Sequence, residues 1–228
     1  MEIFSYAVTA LAAYLLGSIP TGYLVAKAKG IDIRSVGSGN IGATNVFRIL
    51  GKSAGVLVLL ADASKGYFAC QYLPGFALPP DDAVLNHRGT KVALDYLNYL
   101  KVYEWHSILA GVFAILGHNY TCWLKFKGGK GIATTAGVLI ALAPSAFLVV
   151  LCVFVLVAIL THYISLASVV AAFCLPFSMW WFEGSRTMIA VMALLGALAI
   201  YKHKANIKRL LNGTENRFGK KKVAEAPK

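Results

Sequence analysis

Charge is scarce in this chain, and acid scarcest of all. Of 228 residues only 10 are Asp or Glu, and charged residues of both signs make up 14%. A soluble domain usually carries about 25% charged residues, so water is not this chain's only solvent. Cysteine is thin too: Cys70, Cys122, Cys152 and Cys174 all sit in or beside apolar runs, and none forms a CxxC pair. They read as buried thiols, leaving neither a disulfide framework nor a metal signal. There is no internal repeat and no low-complexity linker. A basic signal-peptide start is also missing, because Glu2 stands where it would be. The apolar run from Ile3 continues to Ala26 and reads as a retained first membrane helix.

What the chain has in abundance is apolar length. Hydrophobic residues make up 58% of it and the mean hydropathy is +0.65. Runs over 3–26, 54–73, 106–123, 132–160, 163–182 and 185–201 match the roughly 20 residues that span a hydrocarbon core about 30 Å thick. Between them the net charge of +12 is unevenly spread. Segment 27–52 has five basic residues and one acid, segment 123–131 has three and none, and the tail from Tyr201 has nine and two. Segment 74–105 has three basic residues against four acids. Basic loops stay on the cytoplasmic side, so 27–52, 123–131 and the tail are expected inside and 74–105 outside.

An even number of spans must then separate 123–131 from the tail, yet only three runs lie between them. Run 132–160 is about 43 Å long as one helix, and Pro144 lies mid-run, where a turn can form. Splitting there gives an all-α integral membrane protein of seven helices, N-terminus outside and C-terminus cytoplasmic. Residues 1–228 form one membrane-embedded domain in this reading. Segment 74–105 is an outer loop whose residues Val92–Val102 form a short amphipathic surface helix, and 219–228 is a disordered basic tail.

Three polar clusters interrupt this pattern, each with two readings. In Gly37-Ser38-Gly39-Asn40-Ile41-Gly42-Ala43-Thr44-Asn45-Val46-Phe47-Arg48, the glycines permit close backbone approach. Asn40 suits the N-cap of a helix entering at Ile41, and Thr44 and Arg48 then share a face. Ser38, the helix-start amides and Arg48 make an anion cradle; the alternative is an interfacial turn with a snorkelling arginine. In Lys125-Phe126-Lys127-Gly128-Gly129-Lys130-Gly131-Ile132-Ala133-Thr134, glycine amides and Lys130 suit a phosphate. The alternative is a flexible, positively charged membrane flank. The Walker A spacing is absent, and Gly131 follows Lys130 where Ser or Thr would stand, which disfavours nucleotide hydrolysis. The third cluster, His203-Lys204-Ala205-Asn206-Ile207-Lys208-Arg209-Leu210-Leu211-Asn212-Gly213-Thr214-Glu215, places His203 and Asn206 on one helical face. A polybasic helix resting on anionic lipid is its alternative.

Weaker signals lie elsewhere. Ser165 and Ser168 start a span, where small hydroxyls serve helix packing or a ligand. Asp62 and Lys65, three apart within an apolar run, are costly in a membrane and are expected to pair and hold helices together. His118 and Asn119, at the inner end of the third span, suit interhelical hydrogen bonding.

In combination the clusters resemble a known family. GSGNIGATNVFR, GHNYTCWLKFKGGKGIAT and HKANIKRLLNGTE are similar to the three motifs of the bacterial PlsY family, the acyl-phosphate:glycerol-3-phosphate acyltransferases. LLGSIPTGYL and GVLVLLADASKGYFA resemble it too, and the likeness covers most of 10–73 and 106–215. It implies an enzyme of phospholipid synthesis in the bacterial cytoplasmic membrane, with its active site facing the cytoplasm. That enzyme acylates the 1-position of glycerol-3-phosphate from long-chain acyl phosphate, releasing lysophosphatidic acid and phosphate. The donor is already activated, so no cofactor or metal is implied. Membrane lipid is the remaining partner; nothing points to nucleic acid or an obligate protein partner.

The resemblance also assigns roles. Lys130, His203, Asn206 and Arg48 are the implied catalytic residues. Ser38, Asn40, Thr44, Arg48, Gly128, Gly129, Lys130, Gly131, Thr134 and Ser168 are the implied substrate contacts. No histidine is followed five residues later by Asp, the soluble acyltransferase pattern, and no Ser-His-Asp set is apparent. Direct attack by the glycerol-3-phosphate hydroxyl, without an acyl-enzyme, is therefore expected. A transporter or scramblase of phosphorylated lipids or solutes is the competing class, but it would place polar groups at mid-membrane with inverted repeats. Two departures from the family pattern stand out: segment 74–105 is longer than expected, and His162 stands where a basic residue is usual.

Overall fold

A computed structural model of the chain describes residues 2–78, 91–182 and 185–219. Among these there are helices and no strands. The helices are α1 (Glu2–Ser18), α2 (Thr21–Lys27), α3 (Ala43–Leu50), α4 (Lys52–Ala77), α5 (Lys91–Asn119), α6 (Ile132–Leu142), α7 (Pro144–Thr161), α8 (Ile164–Phe182), α9 (Arg186–Lys202) and α10 (Lys204–Leu211). A short 3₁₀ turn covers Cys122–Leu124.

Prolines set two of the breaks. Pro20 divides the first apolar run into α1 and α2. The run 132–160 divides at Ala143, as its length requires, and Pro144 opens α7. Proline has no N–H to give a preceding turn and pushes the residue before it out of helical geometry. Ala143 accordingly has φ −152° and ψ 66°.

By length and apolarity four described stretches can cross a membrane: Ile3–Lys27, Tyr96–Leu124, Pro144–Thr161 and Ile164–Phe182. A fifth is added if α9 and α10, bent by 57° to one another, count as one span. Two of the seven expected spans fall short of that standard for physical reasons. Helix α4 has 26 residues but carries Asp62 and Lys65, and α6 has only 11. Both pack against protein, since α4 meets α1, α3, α5 and α6.

Two expectations change. Residues 92–102 are not a separate surface helix; they are the first turns of α5, which runs unbroken to Asn119. Nor does α3 start at Ile41 with Asn40 as its cap. It starts at Ala43, and Asn40 Oδ1 instead accepts from the Gly42 amide (2.7 Å) in a turn that precedes the helix. Residues 79–90 of the expected outer loop and 220–228 of the expected basic tail lie outside the described residues.

The chain forms two compact units, Met1–Pro144 and Ser145–Lys228. In the first, α1 and α5 are tied by polar bonds at their ends. Tyr14 OH donates to the Tyr120 carbonyl (2.7 Å), and Thr121 Oγ1 donates to the Ser18 carbonyl (2.5 Å). Helices α4 and α6 meet through glycine: a β-carbon on Gly137 would collide with the Ala63 carbonyl, and one on Gly66 with that of Thr134. Small residues let backbones approach where lipid offers no hydrophobic drive to association. In the second unit α8 and α9 pack together, while α7 turns Leu148, Leu151, Leu156, Ile159 and Leu160 outward. Hydrocarbon suits such a face and water does not.

Candidate active site

The first polar cluster is organised by a residue that spacing alone does not single out. Asn45 is 2% exposed, and its amide closes the chain around itself. Its Nδ2 donates to the carbonyls of Ile33 (3.2 Å), Val36 (3.1 Å) and Asn40 (3.0 Å). Its Oδ1 accepts from the Ser38 amide (2.9 Å) and from Arg48 Nη1 (3.3 Å). One buried amide thus fixes the Ser38 backbone and orients the Arg48 guanidinium, which lies on the exposed side of α3 beside Thr44. At the start of the same loop Asp32 forms an ion pair with Arg34 (2.7 Å), whose side-chain hydrogen bond holds its carboxyl down to about 2. Beneath the cluster Ile33, Ile41 and Val46 share an apolar core with Leu124. That core joins the first cluster to the turn leading into the glycine loop.

The glycine loop does not offer its amides as the spacing suggests. The Gly128 amide donates to the Asn119 carbonyl (3.2 Å) and the Gly129 amide to the His118 carbonyl (3.0 Å). These bonds take up carbonyls left over at the C-terminal end of α5. The glycines serve close approach instead: a β-carbon on Gly129 would strike His118 Nε2, and one on Gly128 the His118 carbonyl. Gly131 has φ +79° and leads into α6. Lys130 lies half-buried between Gly129 and Gly131. Thr134 is fully buried in α6, with no hydrogen-bond partner for its hydroxyl among the described residues.

Beneath this loop lies a buried ionic set. Asp62 Oδ1 accepts from Lys65 Nζ at 2.6 Å and faces His118 Nδ1 at 3.7 Å. Lys65 also donates to the Ile19 carbonyl (2.5 Å). The expected pairing of Asp62 with Lys65 is present, and His118 adjoins it.

In the second unit Glu215 plays the part that Asn45 plays in the first. Its side chain is 5% exposed. Glu215 Oε1 accepts from Ser165 Oγ (3.0 Å) and Asn206 Nδ2 (2.8 Å), and Oε2 from Arg209 Nε (2.7 Å). Residues 212–218 fold back to reach it. The Phe218 amide donates to the His162 carbonyl (2.7 Å), and Arg217 stacks on Tyr163. His162 itself has φ +60° and ends α7 in a left-handed turn. His203 is 3% exposed, and its Nδ1 donates to the Ala199 carbonyl (2.7 Å). A backbone carbonyl only accepts, so Nδ1 carries a hydrogen there. Ser168 is buried and donates to the Ile164 carbonyl (2.9 Å), four residues back.

The whole chain is similar to proteins of one known family. The family described as glycerol-3-phosphate acyltransferase matches residues 7–213. The chain belongs to that family. Among its relatives, the glycerol-3-phosphate acyltransferase of Clostridioides difficile is 43% identical over 97% of this chain and 100% of its own length. That of Geotalea daltonii is 42% identical over 91% and 95%, and that of Bacillus subtilis 42% over 89% and 92%. The crystal structure of PlsY, an integral membrane glycerol 3-phosphate acyltransferase, in its glycerol 3-phosphate form has a TM-score of 0.78 to this fold. It is 37% identical, covering 94% of this chain and 96% of that one. The lysophosphatidic acid form gives 0.76 at 36% identity. The protein is thus a multi-pass membrane acyltransferase of the glycerol-3-phosphate acyltransferase family.

Within this acyltransferase the residues expected from sequence fall into three local groups. Ser38, Asn40 and Arg48 are joined through Asn45. Gly128, Gly129 and Gly131 surround His118 and Asn119. Asn206 is tied through Glu215 to Ser165, one turn before Ser168. Asn45 and Glu215 were in view inside their motifs. Nothing in spacing distinguishes a side chain that gathers its neighbours from one that meets a ligand.

Proposed function

We propose that this acyltransferase moves an acyl group from acyl phosphate to the 1-hydroxyl of glycerol-3-phosphate, giving lysophosphatidic acid and phosphate. The observation that carries the reading is the likeness, over 94% of the chain, to a PlsY crystallised in a glycerol 3-phosphate form and in a lysophosphatidic acid form. The two small molecules differ by one acyl chain. The residues support it: an exposed Arg48 held by a buried amide, a lysine within a glycine loop, and a buried histidine beside a tethered asparagine all suit anionic partners.

The glycerol hydroxyl oxygen attacks the acyl carbonyl carbon. The bond from that carbon to the phosphate oxygen breaks, and inorganic phosphate leaves. The hydroxyl proton passes to a phosphate oxygen of the substrates. Arg48, Lys130 and the Ser38 region bind phosphate, with Asn40, Thr44, Gly131, Thr134 and Ser168 as further substrate contacts; Gly128 and Gly129, whose amides go to the Asn119 and His118 carbonyls, shape the loop that carries Lys130. Lys130, His203 and Asn206 stabilise the charge that develops at the carbonyl. The fold is read as seven spans in a bacterial cytoplasmic membrane, the C-terminus and all three motifs on the cytoplasmic side.

The test is direct. Purified protein given glycerol-3-phosphate and palmitoyl phosphate releases inorganic phosphate in step with lysophosphatidic acid. No release from folded protein refutes the reading. Trapping an acyl-enzyme by rapid quench refutes the direct attack. His203→Gln distinguishes the base: a pH profile of kcat left unchanged by the substitution assigns the proton to a substrate phosphate, and one that is lost assigns it to His203.

A further inference from the structure

A polar residue inside an apolar helix is expensive, and the chain spends three of them in one place. Asp62 is 2% exposed, Lys65 and His118 6% each. An ion pair that only balanced its own charges would be complete with Asp62 and Lys65, which lie one turn apart on the same helix, α4. Pairing within one helix ties nothing to its neighbours. Among the described residues this pair reaches beyond α4 to the end of α1, where Lys65 meets the Ile19 carbonyl, and to His118 at the end of α5.

His118 is the residue on which the glycine loop sits. Its carbonyl takes the Gly129 amide at 3.0 Å, and its ring fills the space that a β-carbon on Gly129 would need. Its neighbour Asn119 takes the Gly128 amide at 3.2 Å and lies under Gly131. Lys130 is therefore held between residues seated on 118 and 119, and one nitrogen of the His118 ring faces the Asp62 carboxylate 3.7 Å away. We infer that Asp62 and His118 are positioning residues for the acyltransfer reaction. The carboxylate fixes the His118 ring, the ring and its carbonyl fix Gly129, and the loop holds Lys130. Lys65 holds that carboxylate in place. The inference rests on the assignment of Lys130 to the substrate phosphates.

Three variants test it in purified enzyme, with amide hydrogen exchange over 125–131, thermal melting and steady-state kinetics on palmitoyl phosphate and glycerol-3-phosphate. Asp62→Asn and His118→Gln are expected to speed exchange at Gly128 and Gly129 about tenfold. They are expected to lower kcat by about 10- to 100-fold, the range for a loop displaced by an ångström or less, with KM for glycerol-3-phosphate within about twofold. The double swap Asp62→Lys with Lys65→Asp rebuilds the ion pair but sets a lysine against His118. It is expected to recover most of the melting temperature and neither the protection nor the kcat. Normal exchange and kcat in folded Asp62→Asn or His118→Gln overturn the inference, as does a swap that restores kcat along with melting. Should Asp62→Asn not fold, His118→Gln, which leaves the ion pair untouched, decides alone. Exchange is read without substrate, so absent turnover in the wild-type enzyme refutes the substrate assignment and leaves the loop measurement standing.

Discussion

Asn45 and Glu215 share a design: a short polar side chain, nearly buried, that collects donors and acceptors from several stretches of chain. Leaving such partners unsatisfied costs about 1–3 kcal/mol per buried group. Asn45→Ala should therefore lower the melting temperature and cut kcat/KM more than Thr44→Ala, its exposed neighbour on α3. Glu215→Ala should release Asn206 and leave Arg209 without its carboxylate; activity should fall at least about tenfold. Arg48→Ala and Lys130→Ala should cost about 100-fold or more in kcat/KM with melting little changed, since neither is buried. Near-normal turnover in either would remove it from the site. The Asp32 carboxyl provides a pH prediction. Its value is depressed, from 3.8 to about 2, so its pairing with Arg34 contributes at any pH above 3.8 and is lost as pH falls through about 2. A carboxyl-carbon titration of Asp32 by NMR checks it; a midpoint near 3.8 would deny the pairing in solution.

Among the helices, glycine does two different jobs. Gly137 and Gly66 allow α4 and α6 to touch backbone to backbone, whereas Gly75, near the end of α4, has no neighbour among the described residues where its β-carbon would lie. Gly137→Ala should force the helices apart, at about 1–3 kcal/mol for an overpacked contact. Gly75→Ala should be close to neutral. Thermal melting of both in detergent separates them, and equal melting would mean the close contact is not made. The prolines explain which helix boundaries were readable. Pro144 was legible as a break because its effect on the chain is local. The start of α3 was not: Asn40 forms a turn instead of a cap, and that choice depends on Asn45 drawing the Asn40 carbonyl inward.

The proposed seven-span arrangement makes a prediction for the molecule as a whole. In a variant lacking the four native cysteines, single cysteines at Ser35 and Asn216 should react with a membrane-impermeant maleimide only after cells are opened. One at Asn86 should react in intact cells. Labelling of Ser35→Cys from outside would invert the topology. Charge counting and the lengths of apolar runs speak to such questions because the bilayer imposes them on every segment separately.

That is also the limit of what the sequence by itself determined. The membrane habitat, the all-helical class, the break at Pro144 and the family were all legible, because each depends on local composition or on motifs contiguous in the chain. Which polar residues face a ligand and which face one another was decided only by tertiary structure. The Gly128 and Gly129 amides looked available until α5 was seen to end beneath them. Asp62 and Lys65 looked like a self-contained pair until His118, more than fifty residues away, was found beside the same carboxylate. Hydrogen bonds between distant segments exist only once helices pack, and no spacing in the chain encodes which distant carbonyl an amide will meet.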